Sequence, residues 1–199
     1  MDSIIPNKHG SERSVESIFI IEMLQKYGQN KSVLDVGGIP THIPSSDEIL
    51  EGIKNLNLNY KIADFRGGNY QGDFVTMDIP EKFDIVMFIS SLEHFPQCTE
   101  GDMIYRPGED KKGFEKALTL LREGGLIFLT VPFGKPLWQN YHQNYDMKLI
   151  NQLTSGTKIV SSYIYKLVDD NWIQTKPQEA EDSIYTTKAS AVGCFVLSL

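Results

Sequence analysis

Cysteine is scarce in the sequence. The two cysteines, Cys98 and Cys194, are far apart and match no metal-binding spacing. So few cysteines are typical of a protein that stays in a reducing, intracellular compartment. Cys194 lies in an apolar run, where we expect a small core residue.

Long apolar segments are also lacking. The longest runs, such as residues 85–89 and 126–129, are far too short to cross a bilayer. Residues 1–10 contain no apolar stretch of the kind that defines a signal peptide. We therefore expect no membrane partner and a cytoplasmic location.

Positive charge is in deficit, because the formal net charge is −7. Such an acidic chain is not typical of a general nucleic-acid binder. The sequence also has no Walker loop, no nucleophile elbow, no hydrolase triad and no Cys/His/Asp cluster with metal-ligand spacing. We therefore expect no metal, and no feature of the sequence indicates an oligomeric state.

What is present is an ordinary globular composition, with 41% hydrophobic and 23% charged residues. A chain of 199 residues is expected to form one domain with a proper core. We divide it into an N-terminal lead and helix, a central core, and a C-terminal helix with closing strands: residues 1–30, 31–135 and 136–199.

Periodicity predicts alternating helices and strands. The predicted helices cover residues 12–27, 46–56 (capped by Ser45 or Ser46), 114–121 and 147–153. In the first helix, Glu12, Arg13 and Glu16 are assigned to polar positions. The predicted strands cover residues 33–36, 59–64, 74–77, 83–89, 126–131, 158–167 and 189–199. Residues 1–10 are expected to be a flexible lead, and residues 169–188 an irregular segment.

This alternation predicts an α/β protein, a three-layer α/β/α sandwich around a mostly parallel sheet of about seven strands. The two closing strands are joined without an obvious helix, so one of them is expected to be antiparallel.

The stretch of residues 31–40 is central to the function. Asp35, Gly37 and Gly38 end the first strand, and ligands of open α/β sheets bind at the carboxyl ends of strands. Taken alone, the stretch fits equally well a strand that ends in a turn with a solvated aspartate.

Five signals in a fixed order decide between these alternatives: residues 33–38 (Val-Leu-Asp-Val-Gly-Gly), 63–64 (Ala-Asp), 72–73 (Gly-Asp), 83–86 (Phe-Asp-Ile-Val) and 120–126 (Leu-Leu-Arg-Glu-Gly-Gly-Leu). This order resembles the class I S-adenosylmethionine-dependent methyltransferases, and the resemblance covers roughly residues 31–135. It implies a Rossmann-like fold, S-adenosylmethionine as cofactor, and a small-molecule methyl acceptor.

Three further segments, residues 91–95, 130–134 and 145–146, are similar to a bacterial and archaeal subgroup. That subgroup is often associated with sugar or polysaccharide biosynthesis. The resemblance therefore implies a hydroxyl of a sugar or related metabolite as the acceptor.

The resemblance assigns cofactor contacts to strand ends. Asp35, Gly37, Gly38 and Ser90 would border the cofactor, and Asp64 would accept both ribose hydroxyls. Two acids compete for the adenine amino group. The spacing to the fourth strand favours Asp73, and the predicted third strand favours Asp78; we prefer Asp73.

His94 and Glu93 follow the fourth strand, near the expected position of the methyl group. His94 could remove a proton from a hydroxyl acceptor, and Glu93 could orient His94 or bind substrate. The alternative is that Glu93 caps or pairs locally and His94 is a satisfied pocket residue. The loops after the fourth and fifth strands should open onto one rim, where several side chains could bind the acceptor: Tyr105, Arg106, Trp138, Tyr141, His142 and Tyr145.

Two features depart from the family pattern. The usual Asp-x-Gly-x-Gly is replaced by Asp-Val-Gly-Gly-Ile-Pro, in which Pro40 stiffens the loop. Only eight residues separate Asp64 from Asp73, so no helix is expected between the second and third strands. These departures favour the first alternative, a methyltransferase-like binding protein without catalysis. The other alternative, a nicotinamide-dependent oxidoreductase, requires Gly-x-Gly-x-x-Gly, which the chain does not have.

Overall fold

A computed structural model describes residues 1–38, 46–97, 105–139, 142–186 and 188–199. The helices of these residues are α1 Arg13–Tyr27, α2 Ser46–Ile53, α3 Glu109–Leu120, α4 Met147–Leu153 and α5 Pro177–Ala180, with short 3-10 helices at Lys54–Leu56 and Leu92–Gln97. The strands are β1 Ile4–Pro6, β2 Ser32–Val36, β3 Asn59–Asp64, β4 Tyr70–Gln71, β5 Phe83–Ile89, β6 Leu121–Pro132, β7 Trp138–Gln139, β8 His142–Gln143, β9 Lys158–Val168, β10 Asn171–Thr175 and β11 Ala191–Ser198.

Nine of these strands form one sheet in the order β1-β10-β9-β11-β6-β5-β2-β3-β4. The pairings from β6 through β5, β2 and β3 to β4 are all parallel. The pairings from β6 through β11, β9 and β10 to β1 are all antiparallel. The predicted α/β class is confirmed, although the sheet has nine strands rather than about seven and its antiparallel part is larger than expected.

Helices cover both faces of the sheet, as a three-layer sandwich requires. Apolar residues alternate along β2 and β5: Val33 and Ile85 pack in the core with α1, whereas Leu34 and Val86 pack in the core with α3 and α4. β2 and β5 are buried on both faces, and for this reason nearly all of their residues are apolar. Asp35 in β2 is therefore an exception that needs a reason.

The prediction of a strand at residues 74–77 is wrong. The main-chain N–H of Met77 donates to the carbonyl of Asp73 (2.8 Å), and the carboxylate of Asp73 accepts from the N–H of Val75 (2.9 Å). These bonds make a turn, and Phe74 is apolar because it packs on Phe88 and Phe95. The strand next to β3 is the shorter β4, and residues 65–82 contain no helix, as the spacing of the acids predicts.

The two ends of the antiparallel part are more ordered than the sequence predicts. The predicted flexible lead contains β1, which pairs with β10 in the segment expected to be irregular. The indole N–H of Trp172 donates to the side chain of Asn7 (3.0 Å), and the hydroxyl of Tyr165 donates to the carbonyl of Asp2 (2.8 Å). Buried aromatic side chains thus hold the N-terminus, a long-range effect that local composition does not reveal.

Several sequence-based expectations lie outside the described residues. They concern the stiffening by Pro40, the helix cap by Ser45, the cysteine at position 98 and the acceptor role of Tyr141. Cys194 is a buried free thiol in the core, as expected. Along the described chain, no helix is long and apolar enough to cross a membrane.

Candidate functional site

The carboxyl ends of β3, β2 and β5 are joined by two hydrogen bonds. The N–H of Gly37 donates to the carbonyl of Ala63 at 2.8 Å, and the hydroxyl of Ser91 donates to the carbonyl of Val36 at 2.6 Å. The turn after β2 is therefore fixed between the neighbouring strand ends. Asp64 also lies at this edge, beside the turn.

Both glycines of this turn are required by contacts within the protein. Gly37 has φ of +82°, and a Cβ there would lie 2.5 Å from the Cβ of Ser91. A Cβ on Gly38 would lie 2.1 Å from Oδ2 of Asp35. The turn thus lies directly on the Asp35 carboxylate, which explains why two glycines stand side by side.

Only one of the two carboxylate oxygens of Asp35 has a hydrogen-bond partner in the part of the chain that the structure describes. The hydroxyl of Tyr60 donates to Oδ2, whereas Oδ1 is buried and has no hydrogen-bond partner among the described residues. Burial raises the pKa of Asp35 to about 6, although the Tyr60 hydrogen bond opposes the shift. A buried oxygen without a donor is suited to a ligand that supplies one, such as an amine.

The three acids predicted to bind ribose and adenine lie in different environments. Asp64 is buried, and its Oδ1 accepts from the main-chain N–H of Arg66 at 2.7 Å. Asp73 is half-buried and follows Gly72, whose N–H donates to the carbonyl of Asp64 at 3.1 Å. Asp78 is exposed. Asp73 therefore directly follows a residue that is bonded to Asp64, whereas no hydrogen bond or ion pair joins Asp78 to Asp64 in the described part of the chain.

Ser90 contacts a carboxylate that the sequence did not single out. Its hydroxyl donates to Oε1 of Glu16, which also accepts from the hydroxyl of Thr130 at 2.6 Å. Oε2 of Glu16 accepts from Nη1 of Arg13 at 2.8 Å, and Arg13 also reaches the carbonyl of Ile89 at 3.4 Å. Glu16 is only 1% exposed, so the start of α1 is tied to the ends of β5 and β6.

The assignment of Glu12 and Glu16 to polar helix positions is wrong, because both side chains are buried. The first turn of α1 lies against the edge of the sheet where the parallel strands end. Polar groups of the protein take the place of water there. A signal was present in the sequence: Glu16 stands three residues before Phe19 and four before Ile20, on the apolar side of the helix. Arg13 and Thr130 had no comparable signal.

Glu93 lies in the same buried region and is 1% exposed. Its Oε2 has no hydrogen-bond partner within the described part of the chain, and the same holds for Oε2 of Glu12. Burial raises the pKa of Glu93 well above its ordinary value, and the charge of Glu16 raises it further. Burial and Glu16 likewise raise the pKa of Glu12.

His94 is exposed and meets another predicted residue across the rim. The His94 and His142 rings are 4.4 Å apart, and His142 stacks on Tyr185 with ring centroids 4.1 Å apart. Tyr185 was not predicted. Burial raises the pKa of Tyr185 to about 12, and the nearby charges of Glu12 and Glu93 contribute.

The loops after β5 and β6 do approach each other, as predicted. Tyr105 and Trp138 stack with ring centroids 4.9 Å apart. The main-chain N–H of Arg106 donates to the carbonyl of Pro96 at 2.7 Å, and the Arg106 side chain is half-buried. Tyr145, in contrast, is buried and donates to Asp110 (2.9 Å), so it belongs to the core rather than to the rim.

Comparison with known families identifies the chain. Residues 58–192 match the family described as "Caenorhabditis protein of unknown function, DUF268", and this match covers more than half of the chain. The chain belongs to the DUF268 family. No curated protein matches the sequence.

Solved structures with similar folds are methyltransferases. The 1,6-didemethyltoxoflavin-N1-methyltransferase of Burkholderia thailandensis, bound to S-adenosylhomocysteine, is 12% identical with a TM-score of 0.60, covering 94% of this chain and 79% of its own. The N-methyltransferase NodS of Bradyrhizobium japonicum is 11% identical with a TM-score of 0.58, covering 94% and 86%. The CcbJ methyltransferase of Streptomyces caelestis is 9% identical with a TM-score of 0.56, covering 92% and 88%. This DUF268 chain therefore has the fold of S-adenosylmethionine-dependent methyltransferases.

Within the described ranges, no group of three or more His, Cys, Asp or Glu side chains is arranged to hold a metal ion.

Proposed function

We propose that this chain transfers a methyl group from S-adenosylmethionine to a hydroxyl of a sugar or related small metabolite. The observation that carries the proposal is the pair of carboxylates at adjacent strand ends. Asp35, with its unpartnered oxygen, lies under the Gly37–Gly38 turn, and Asp64 follows on the neighbouring strand. Two of the similar folds were solved with S-adenosylhomocysteine, which supports the cofactor.

The side chains present fit the parts of this cofactor. Asp35 can accept from the amine through Oδ1, and Asp64 is an acceptor-only group suited to the two ribose hydroxyls. Asp73, adjacent to the residue that bonds Asp64, is assigned to the adenine amino group. Ser90 and the Gly37–Gly38 turn border the methionine part.

When bound, S-adenosylmethionine supplies a methyl group on a positively charged sulfur, and displacement needs in-line alignment above all. His94 follows β5 and is exposed, so its imidazole can take the proton of the acceptor hydroxyl. Contact with His142 holds the His94 ring at the rim. The stacked rings of Tyr105 and Trp138 offer flat faces to a sugar.

A second candidate function is a methyltransferase-like binding protein without catalysis. It is favoured by the glycine spacing and by residues 65–82, which contain no helix between β3 and β5. Both candidates predict cofactor binding, and only the first predicts turnover.

Calorimetry with S-adenosylmethionine, S-adenosylhomocysteine and nicotinamide dinucleotides tests cofactor binding. We expect the sulfur ligands to bind, and Asp64→Ala to weaken binding by about 2 kcal/mol, because a charge-assisted acceptor is lost. Asp2→Ala, an exposed acid beside β1, is the control and should have no effect. Binding of a dinucleotide alone would overturn the proposal in favour of an oxidoreductase.

Turnover is tested by release of S-adenosylhomocysteine in the presence of sugars and sugar nucleotides. His94→Ala should lower kcat by about 100-fold or more while cofactor affinity stays the same, as expected for loss of a general base. Cofactor binding without turnover of any acceptor would favour the binding protein.

A further inference from the structure

Three buried glutamates and one half-buried arginine interact electrostatically at the start of α1 and in the 3-10 helix after β5, and we call them the acid cluster: Glu12, Arg13, Glu16 and Glu93. The four side chains do not balance in charge. Glu16 pairs with Arg13 through an ion pair of 2.8 Å and accepts from two hydroxyls besides. One arginine thus faces three carboxyl groups, and its charge also acts on Glu12 and Glu93.

The two remaining carboxyl groups each keep one unsatisfied oxygen. Oε2 of Glu12 and Oε2 of Glu93 have no hydrogen-bond partner in the described ranges, and the side chains are 8% and 1% exposed. A buried carboxyl oxygen without a donor is costly, and burial raises the pKa of both groups because it disfavours their charged form. A bound cation could supply the missing partner.

Glu93 directly precedes the exposed His94, which lies at the rim where the acceptor is expected. The charges of Glu12 and Glu93 act on the phenol of Tyr185. Tyr185 is half-buried and stacks on His142, and His142 meets the exposed His94. Carboxylates combined with an aromatic face are suited to an organic cation.

We propose that Glu12 and Glu93 bind a protonated amine of the methyl acceptor, which makes the acceptor an amine-bearing, polyhydroxylated metabolite of the amino-sugar type. This inference rests on the proposed function, because it takes the bound amine to be part of the acceptor. The cofactor's own amine is assigned elsewhere, to the unpartnered oxygen of Asp35.

The experiment compares two sugars that differ in one group. Binding of glucosamine and of glucose is measured by calorimetry near neutral pH, with and without saturating S-adenosylhomocysteine. We expect glucosamine to bind at least 10-fold more tightly than glucose in both conditions. Equal affinities, tighter binding of glucose, or no binding of either sugar would overturn the inference.

Charge-neutralising variants test whether Glu12 and Glu93 cause the preference for glucosamine. Glu93→Gln and Glu12→Gln keep the side-chain volume and should each reduce the preference for glucosamine at least 5-fold, with glucose affinity unchanged. Glu123→Gln makes the same change at an exposed position at the start of β6, the opposite edge of the sheet, and should keep the full preference. A preference that survives in both Glu93→Gln and Glu12→Gln would contradict the assignment.

Two further outcomes separate this inference from the proposed function. A 10-fold loss of S-adenosylhomocysteine affinity in Glu93→Gln would show that the acid cluster holds the cofactor's amine, and would overturn the inference alone. Absence of S-adenosylhomocysteine binding to the unaltered protein, with a preference for glucosamine that depends on Glu93, would overturn methyl transfer but retain the amine site.

Discussion

Replacing Glu16 with alanine should destabilise the whole domain. This carboxylate is 1% exposed and accepts hydrogen bonds from Ser90, Thr130 and Arg13. Its removal leaves a largely buried guanidinium and two hydroxyls without their acceptor, and breaking a buried pair of this kind costs about 4 kcal/mol. For a chain of this length, that corresponds to a decrease in Tm of about 8–16 °C.

Urea unfolding followed by circular dichroism measures this loss, with an unchanged m-value as the sign that the unfolded state is the same. Glu16→Gln keeps one acceptor oxygen and should lose only about 2 kcal/mol. Glu51→Ala removes an exposed carboxylate on α2 that pairs with Lys54, and should leave stability unchanged. A loss in Glu16→Ala as small as that in Glu51→Ala would refute the idea that Glu16 ties α1 to the strand ends.

Three other substitutions test the turn and the N-terminus. Because the pKa of Asp35 is raised to about 6, this group binds a proton more tightly in the folded state, and its contribution to stability falls by about 3 kcal/mol as pH rises from about 4 to 6. Asp35→Asn should remove this part of the pH dependence of the unfolding free energy, measured with urea. An unchanged pH dependence would contradict the raised pKa. Gly38→Ala should lower the unfolding free energy by about 1–3 kcal/mol because its Cβ would overlap the Asp35 carboxylate. Gly67→Ala, which has no atom near its Cβ, should lower it less. Equal losses of stability would argue against the overlap. Asn7→Ala leaves the Trp172 indole N–H without its acceptor and should cost about 1–3 kcal/mol, with faster amide exchange in β1 as the local sign.

The sequence predicted most of the parallel half of the fold, but it placed a strand at residues 74–77 instead of β4. β2 and β5 are mostly apolar and β3 ends in an acid, so local composition identifies these strands, and the bounds of β3 and β5 agree with the prediction. The antiparallel edge was harder, because β1 has only three residues and β10 alternates weakly. Their stability comes from the buried Trp172, a contact between residues far apart in the chain.

The candidate site was only partly predictable for a similar reason. Asp35 and Asp64 follow strands, and the end of a parallel strand is a local signal. Glu16 and Tyr185 reach the site from a helix and a loop at opposite ends of the sequence. The spacing of Glu16 to Phe19 and Ile20 indicates only that its side chain is on the apolar side of the helix. The partners of Glu16 and Tyr185 depend on how the helix and the loop are arranged around the sheet, which local spacing does not reveal.

The departure of the glycine motif from the methyltransferase pattern has a local physical cause. Asp35 places Oδ2 where a Cβ at position 38 would lie, so a side chain directly after Gly37 would displace the Asp35 carboxylate. The same geometry directs Oδ2 to the turn and to Tyr60, and leaves Oδ1 as a buried oxygen without a donor in the described residues. The adjacent glycines are thus explained by the close approach of Ser91 to Gly37 and of Asp35 to Gly38, and their spacing is not by itself an argument against cofactor binding. The unpartnered oxygen is the stronger indication, because a buried acceptor in a folded protein normally has a partner, and a cofactor amine would supply one.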